Sequence, residues 1–222
     1  MSQSSFRNIV GRDGLRADGS WATRLSRMAS LVLHPFFMPL YGVLALMATG
    51  AVPLLNVGSF GARFVGMTAI YTMLFPWASL VLMRVLGVVD SMSVNVPRQR
   101  IVPMVVLIIC YISFVVAMHR VPLVQMVRGF MIGAAMCVAV AMLVTPRWKI
   151  SLHLISAGGA VALALMLVLS GTHSALWLLC VAIAAAGCLA SARLHLGSHT
   201  PAQVAVGFCV GFAMVAASLL FV

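Results

Sequence analysis

The chain is a succession of long apolar stretches separated by short polar segments. Each stretch is continuously apolar, and most have about the 20 residues that a helix needs to cross a hydrocarbon core roughly 30 Å thick. The strands of a transmembrane barrel would instead alternate polar and apolar residues over about ten positions. The pattern therefore predicts an all-α, polytopic transmembrane helix bundle with six or seven spans. The seven segments are 31–52, 64–83, 101–118, 125–145, 150–170, 174–192 and 203–222.

The composition agrees with a membrane protein. Only 8% of the residues are charged, and a mean hydropathy of +1.13 leaves too little polar surface for a soluble domain. The first apolar run begins near Leu31 and continues at full spanning length without a clear cleavage site, so no secretory signal peptide is predicted. We expect a basic polar tail over 1–28 and a transmembrane domain over 29–222, in a bacterial cytoplasmic membrane.

The net charge of +11 does not indicate a nucleic-acid partner. The basic residues are spread over the tail and the ends of the predicted helices, so no folded basic face remains to contact a duplex. Anionic membrane lipid is the expected partner instead, because basic segments next to a membrane are attracted to its negative surface.

Acidic side chains are nearly absent from the chain, which has Asp13, Asp18, Asp90 and no glutamate. Paired-carboxylate hydrolysis therefore lacks its pair, and two-metal phosphoryl transfer lacks the oxygen ligands that hold magnesium. Proton-coupled transport lacks its usual intramembrane carboxylate. We expect no metal and no cofactor, and a chemistry that is carried by histidine and arginine.

The segment 192–207 places basic side chains between two apolar runs. Arg193 and His199 lie six residues apart, with His195 between them, where polar side chains are costly unless they bind something. A phosphate at the membrane surface fits this combination. The segment resembles the third motif of the type 2 phosphatidic acid phosphatase superfamily, which reads Ser-Arg, five residues, His, three residues, Asp-Val, then Gly. The matching positions are Arg193, His199, Val204 and Gly207, and the departures are Ala192 and Gln203.

The second motif of that superfamily, Pro-Ser-Gly-His, has a partial counterpart in 146–153. Ser151 and His153 are kept, whereas the proline and the glycine are replaced. A competing Ser-Gly-Thr-His sequence ends at His173. One predicted span separates His173 from His153 and another separates it from His199, so this competitor is expected on the opposite membrane face.

The first motif, Lys, six residues, Arg-Pro, is matched loosely around Arg100. Serine stands at the lysine position, the proline comes two residues late, and Arg98 is available to supply the missing positive charge. The loops at 89–100, 146–149 and 193–202 follow the second, fourth and sixth predicted spans. All three motif segments are therefore expected on one face of the membrane.

The resemblance implies a metal-independent lipid phosphatase that works through a phosphohistidine intermediate. His199 would attack phosphorus, His153 would protonate the leaving group, and Arg193 would grip the phosphate oxygens. The further phosphate-binding candidates are Arg100, Arg98, Lys149 and Ser151. The implied substrate is a phosphorylated or pyrophosphorylated lipid of polyprenyl, phosphatidic-acid-like or lipid A type.

Gln203 stands where the superfamily has the aspartate that holds and charges the nucleophilic histidine. A glutamine can orient His199 but cannot stabilise its imidazolium form with charge. Thr200, Pro201 and Gln203 also form a helix start, with a capping box between the first and the last of them. A non-catalytic protein of the same fold that binds anionic lipid, as a transporter or a scaffold, is therefore the alternative.

Two signals disagree about which face carries the site. The arginines of the tail predict a cytoplasmic N-terminus, which places the site on the cytoplasmic face as well. The resembled superfamily usually works on the outer face, and that placement requires one span fewer before the site. We favour the outer face, on the ground that the first apolar stretch is broken by His34, Pro35 and Pro39 and could enter the membrane without crossing it.

Overall fold

The computed structural model describes residues 20–89, 97–121 and 125–221, and within these ranges the regular structure is helical throughout. A π-helical turn, Ile70–Leu74, joins the helices Gly58–Ala69 and Phe75–Val85, and short 3-10 helices occupy Pro53–Asn56, Pro97–Arg100 and His173–Ala175. The helices are α1 Trp21–Val32, α2 Met38–Ala48, α3 Gly58–Ala69, α4 Phe75–Val85, α5 Ile101–Ala117, α6 Gln125–Val144, α7 Leu152–Leu169, α8 Leu176–His195 and α9 Pro201–Leu220.

Five of the described helices are long and apolar enough to cross a membrane. They are Gly58–Val85, Gln125–Val144, Leu152–Leu169, His173–His195 and Pro201–Leu220. Two shorter apolar helices, α2 and α5, lie between them in the chain. The predicted fold class, a helical membrane bundle, is thereby confirmed. The span predicted over 64–83 is longer than expected, because a glycine, a serine and Arg63 dilute the apolar signal of its first turns.

Helices α7 and α9 pack side by side. They run in the same direction, because later residues of α7 contact later residues of α9. A side chain on Gly207 would contact the Ser151 carbonyl, and one on Gly211 would meet the backbone of Ile155. Close backbone approach through small residues is the usual way in which membrane helices associate. Both helices therefore begin at the same end of the bundle, which we call the upper end.

Helix α1 buries two hydroxyl-bearing residues and exposes several large apolar ones, together with Arg24 and Arg27. Thr23 and Ser30 are buried, whereas Trp21 is 78% and Met28 is 62% exposed. The helix begins at its N-cap Ser20, whose hydroxyl accepts a hydrogen bond from the Thr23 backbone. The boundary predicted between residues 28 and 29 thus falls inside a helix. Hydropathy alone did not reveal this helix because Arg24 and Arg27, both exposed, make it resemble a polar tail.

The first apolar stretch is broken into two helices but reaches both ends of the bundle. Thr23 of α1 is hydrogen-bonded to His195 at the upper end, with 3.2 Å between Oγ1 and Nε2. At the other end, the Thr49 carbonyl that follows α2 accepts a 2.9 Å hydrogen bond from the Ser174 hydroxyl. The stretch therefore runs from one end of the bundle to the other, which differs from the prediction that it enters the membrane without crossing it. The chain bends at His34 and Pro35 but continues toward the opposite end.

Candidate functional site

Three chain segments meet at the upper end of the bundle, and they are the three segments that carry the motif-like residues. The turn Pro97–Arg100 leads into α5, the segment 145–151 joins α6 to α7, and the segment 196–200 joins α8 to α9. Arg100 and Lys149 both lie close enough to Arg193 to interact with it electrostatically. The structure therefore brings the predicted segments together at one end.

His199 is oriented by the side chain of Gln203. The His199 Nδ1 atom lies 3.2 Å from Gln203 Oε1, and the same oxygen accepts the Thr200 backbone N–H at 3.2 Å. Since an amide oxygen can only accept, the imidazole carries its proton on Nδ1. The Nε2 atom of the neutral ring keeps its lone pair, which is the state that a nucleophile requires.

The predicted capping box at the start of α9 is confirmed. Thr200 is the N-cap, its hydroxyl accepts the Gln203 backbone N–H at 3.4 Å, and the Gln203 side chain returns a hydrogen bond to the Thr200 backbone. Gln203 therefore caps the helix and contacts His199 at the same time. These two interpretations of the residue are not exclusive in this structure.

Burial and neighbouring cations hold His199 in its neutral form. Desolvation lowers the pKa of the His199 imidazole to about 4, and the positive charges of Arg193 and Lys149 contribute in the same direction. The hydrogen bond to Gln203 and the backbone of Lys149 oppose the shift without cancelling it. A group whose pKa lies below its usual value is deprotonated near neutral pH. His199 therefore has a free lone pair under ordinary conditions.

His153, the second residue of α7, is held by the N-terminal helix. Its Nε2–H donates to the carbonyl of Ser30 over 3.1 Å, and its ring meets the ring of His34 edge to face, with centroids 5.3 Å apart. The contact with Ser30 fixes the proton on Nε2, because a carbonyl only accepts. The Nδ1 atom is thus the position at which His153 can take up or give away a further proton.

Three cations gather at this site. Arg100, Lys149 and Arg193 repel one another, and desolvation together with the charges of the two arginines lowers the pKa of the Lys149 ammonium. The three aspartates of the chain lie at positions outside the described residues. Like charges are costly to hold close together in a partly buried position. A bound anion would relieve this repulsion.

Buried polar atoms at the upper end also lack partners within the described residues. Ser30 Oγ, Ser151 Oγ, Thr145 Oγ1 and Arg193 Nε are buried and make no hydrogen bond there. An unsatisfied buried donor costs about 1–3 kcal/mol, so such groups are normally paired. Arg193 Nε and Ser151 Oγ belong to residues that the sequence assigned to phosphate binding. An oxyanion is the kind of group that would satisfy hydroxyl and guanidinium donors together.

Two of the sequence candidates are not part of this cluster as described. The side chain of Arg98 lies outside the described part of the structure, so its role in phosphate binding stays a prediction. His173, the competitor of His153, is exposed and lies next to Ser174, whose contact with Thr49 places it at the opposite end. The separation of His173 from the other motif residues agrees with the predicted topology.

The sequence did not identify the contribution of the N-terminal segment to this site. His34 contacts His153, the Ser30 carbonyl binds His153, and Thr23 binds His195. A signal for His34 was present, since a histidine followed by proline inside an apolar stretch is a costly combination. The Ser30 contact had no such signal, because any residue type supplies a carbonyl.

The comparisons with known proteins found no match to a family model, to a curated protein or to a solved structure. Among the described residues, no group of three or more histidine, cysteine or acidic side chains is placed to hold a metal ion. The resemblance to the lipid phosphatase superfamily remains a prediction that rests on the motif residues.

Proposed function

We propose that this protein is an integral-membrane lipid phosphatase of the bacterial cytoplasmic membrane. The observation that carries the proposal is the oriented, neutral His199 beside Arg193 and Lys149, with Arg100 and His153 also within electrostatic reach of Arg193. Cations beside an oriented, neutral histidine suit a phosphate monoester, whose negative charge they would stabilise. Phosphoryl transfer requires mainly such positioning and electrostatic stabilisation.

The first chemical step follows from the orientation of His199. Its Nε2 lone pair attacks phosphorus, a nitrogen–phosphorus bond forms, and the bond between phosphorus and the lipid oxygen breaks. The electron pair goes to the lipid oxygen, which takes a proton from Nδ1 of His153. His153 takes up this proton when the phosphate dianion enters the site and offsets the charges of the cations. Arg193 and Arg100 hold the phosphate oxygens, where charge is spread during the transfer.

Hydrolysis of the intermediate completes the cycle. Water attacks the phosphohistidine, the nitrogen–phosphorus bond breaks, and its electron pair returns to His199. His153, now neutral, takes a proton from the attacking water and regains its starting state. The parallel packing of α7 and α9 also points the N-terminal ends of both helices at this region, and helix N-termini favour anions.

An apolar cavity next to the cluster suits the hydrocarbon chain of a lipid. It has a volume of about 220 Å³ and lies between α2, α7 and α8. Leu33, which precedes His34 in the chain, lines it together with small residues such as Ala157 and Ala186. Ala157 follows His153 by one helical turn in α7, so the cavity begins close to His153 along this helix. We propose that the first part of the substrate chain lies there while the phosphate lies among the cations.

Non-catalytic binding of an anionic lipid is the second candidate, and Gln203 favours it. Its neutral amide cannot stabilise the imidazolium form of His199, and its oxygen is shared with the helix cap. The cations, the unsatisfied donors and the cavity would serve such a binding protein equally well. Turnover therefore distinguishes the two candidates, whereas binding alone does not.

Release of inorganic phosphate by the purified, detergent-solubilised protein tests the proposal. We expect release from lipid phosphates, assayed as a panel of polyprenyl, phosphatidic-acid-like and lipid A-type compounds. Glycerol 3-phosphate, which has no hydrocarbon chain, should be a much poorer substrate because it leaves the cavity empty. Tight binding of lipid phosphates without any release would support the non-catalytic candidate instead.

Substitutions of Gln203 test whether its contact with His199 matters. Gln203→Asp should keep or raise turnover, since a carboxylate stabilises the imidazolium form. Gln203→Leu removes the contact with His199 and should lower turnover markedly. It also removes a capping contact, which costs on the order of 1 kcal/mol of helix stability. Turnover and melting temperature are measured on the same preparations, and unchanged turnover in both variants would exclude Gln203 from the site.

A further inference from the structure

His34 lies at the break between α1 and α2 and is in contact with the candidate site. It precedes Pro35, and its half-buried ring meets the ring of His153 edge to face at 5.3 Å. It also packs against the ring of Phe36 at 4.9 Å. In membrane proteins, the break of a discontinuous helix is a common place for polar groups that bind a ligand. His34 belongs to none of the three motif-like segments.

The hydrogen bonding of His34 determines which nitrogen is available to a ligand. The backbone N–H of Phe36 donates to His34 Nδ1 over 3.3 Å. Because a backbone N–H can only donate, Nδ1 is an acceptor and the neutral ring carries its proton on Nε2. His34 therefore presents an N–H donor at Nε2 without being charged.

The surroundings of His34 favour this neutral form. The ring is half-buried, which disfavours a charged imidazole, and Arg193 lies within electrostatic reach of it. A fourth cation beside Arg100, Lys149 and Arg193 would increase their repulsion, whereas a neutral donor adds a hydrogen bond without that cost.

We propose that His34 is a further phosphate-binding residue, which donates its Nε2–H to the anion that Arg193 holds. The identification of this anion as the phosphate of a lipid ester rests on the proposed function. The donor itself rests on the contact with His153, the nearness of Arg193 and the hydrogen bond from Phe36. The N-terminal segment is thereby a fourth part of the site, which binds phosphate through His34 and positions His153 through the Ser30 carbonyl.

Two substitutions separate hydrogen bonding from packing at this position. His34→Phe keeps an aromatic ring but removes the donor, whereas His34→Gln keeps a donor and removes the ring. Binding of inorganic phosphate to the full-length, detergent-solubilised protein is measured by calorimetry. We expect His34→Phe to weaken binding about tenfold, the loss typical of one hydrogen bond to a charged group. His34→Gln should remain within about threefold of the unsubstituted protein, and His173→Phe at the opposite end is the matched control.

The outcomes distinguish this proposal from the proposed function. Unchanged phosphate affinity in His34→Phe, equal losses in His34→Phe and His34→Gln, or no phosphate binding by the unsubstituted protein would each overturn the role of His34. A loss confined to His34→Phe supports it. If that loss occurs but no lipid phosphate is hydrolysed, the anion site stands and the phosphatase proposal fails. Where turnover is measured, His34→Phe should raise KM or lower kcat/KM at an unchanged melting temperature.

Discussion

Replacement of His199 by alanine is expected to lower the turnover of a lipid phosphate by roughly two orders of magnitude or more, the scale of loss for a group that acts in the transition state. The ring that Gln203 orients would be lost, and with it the Nε2 lone pair that attacks phosphorus. Arg193→Ala should have an effect of similar size, because a buried guanidinium that has an unsatisfied Nε would no longer hold the phosphate.

The exposed residue His173, at the opposite end of the bundle, provides the control for this first prediction. His173→Ala should leave turnover unchanged. Arg193→Lys should restore little activity, because an ammonium cannot reproduce the planar pair of donors of arginine. Initial rates of phosphate release, normalised to folded protein, give the comparison. An essential His173 together with a dispensable His153 would mean that the second motif had been assigned to the wrong segment.

The second large effect is expected on stability, at the contact between α7 and α9. A Cβ atom on Gly211 would overlap the backbone carbonyl of Ile155, which cannot move away as the end of a side chain could. Overpacking of this kind typically costs about 1–3 kcal/mol and sometimes more. Gly211→Ala should therefore lower the free energy of unfolding by at least this amount, and it should lower turnover because the same helix pair positions Ser151 and His199.

Gly187 in α8 provides a matched substitution. A Cβ atom there would have no neighbour within 4 Å, so Gly187→Ala should be neutral or slightly stabilising through its better helix propensity. Unfolding of both variants is followed in the same detergent by titration with a denaturing detergent. Equal stability of Gly211→Ala and the unsubstituted protein would show that the two helices are not packed as closely as described.

The long helices were predictable because lipid selects continuously apolar sequences. The stretches that became α6, α7, α8 and α9 needed only length and hydropathy to be identified. Helix α1 needed more, since Arg24 and Arg27 lower its mean hydropathy while Thr23 and Ser30 face the protein. The break at His34 was visible as a histidine and a proline in an apolar stretch, but the direction of the chain after the break depends on contacts with α6 and α7.

The site was predictable where its residues follow one another at fixed spacings. Arg193 lies in the last turn of α8, His199 in the short connection that follows and Gln203 in the first turn of α9, so their proximity follows from the sequence. The contact of His153 with Ser30 joins positions 123 residues apart and uses a backbone carbonyl. No residue type marks such a contact. His34 was visible as a histidine in an apolar stretch, but its role was not, because that role depends on helix packing and on the hydrogen bond from the Phe36 backbone.

The most direct test of the account is the detection of phosphate on His199 during turnover in the presence of a metal chelator. The purified protein is mixed with a lipid phosphate that it hydrolyses, quenched at alkaline pH to preserve phosphohistidine, and analysed by mass spectrometry of its peptides. We expect phosphate on the peptide that contains His199, undiminished by the chelator and absent from His199→Ala. Turnover that stops when metal is removed, or phosphate found on another residue, would contradict the account.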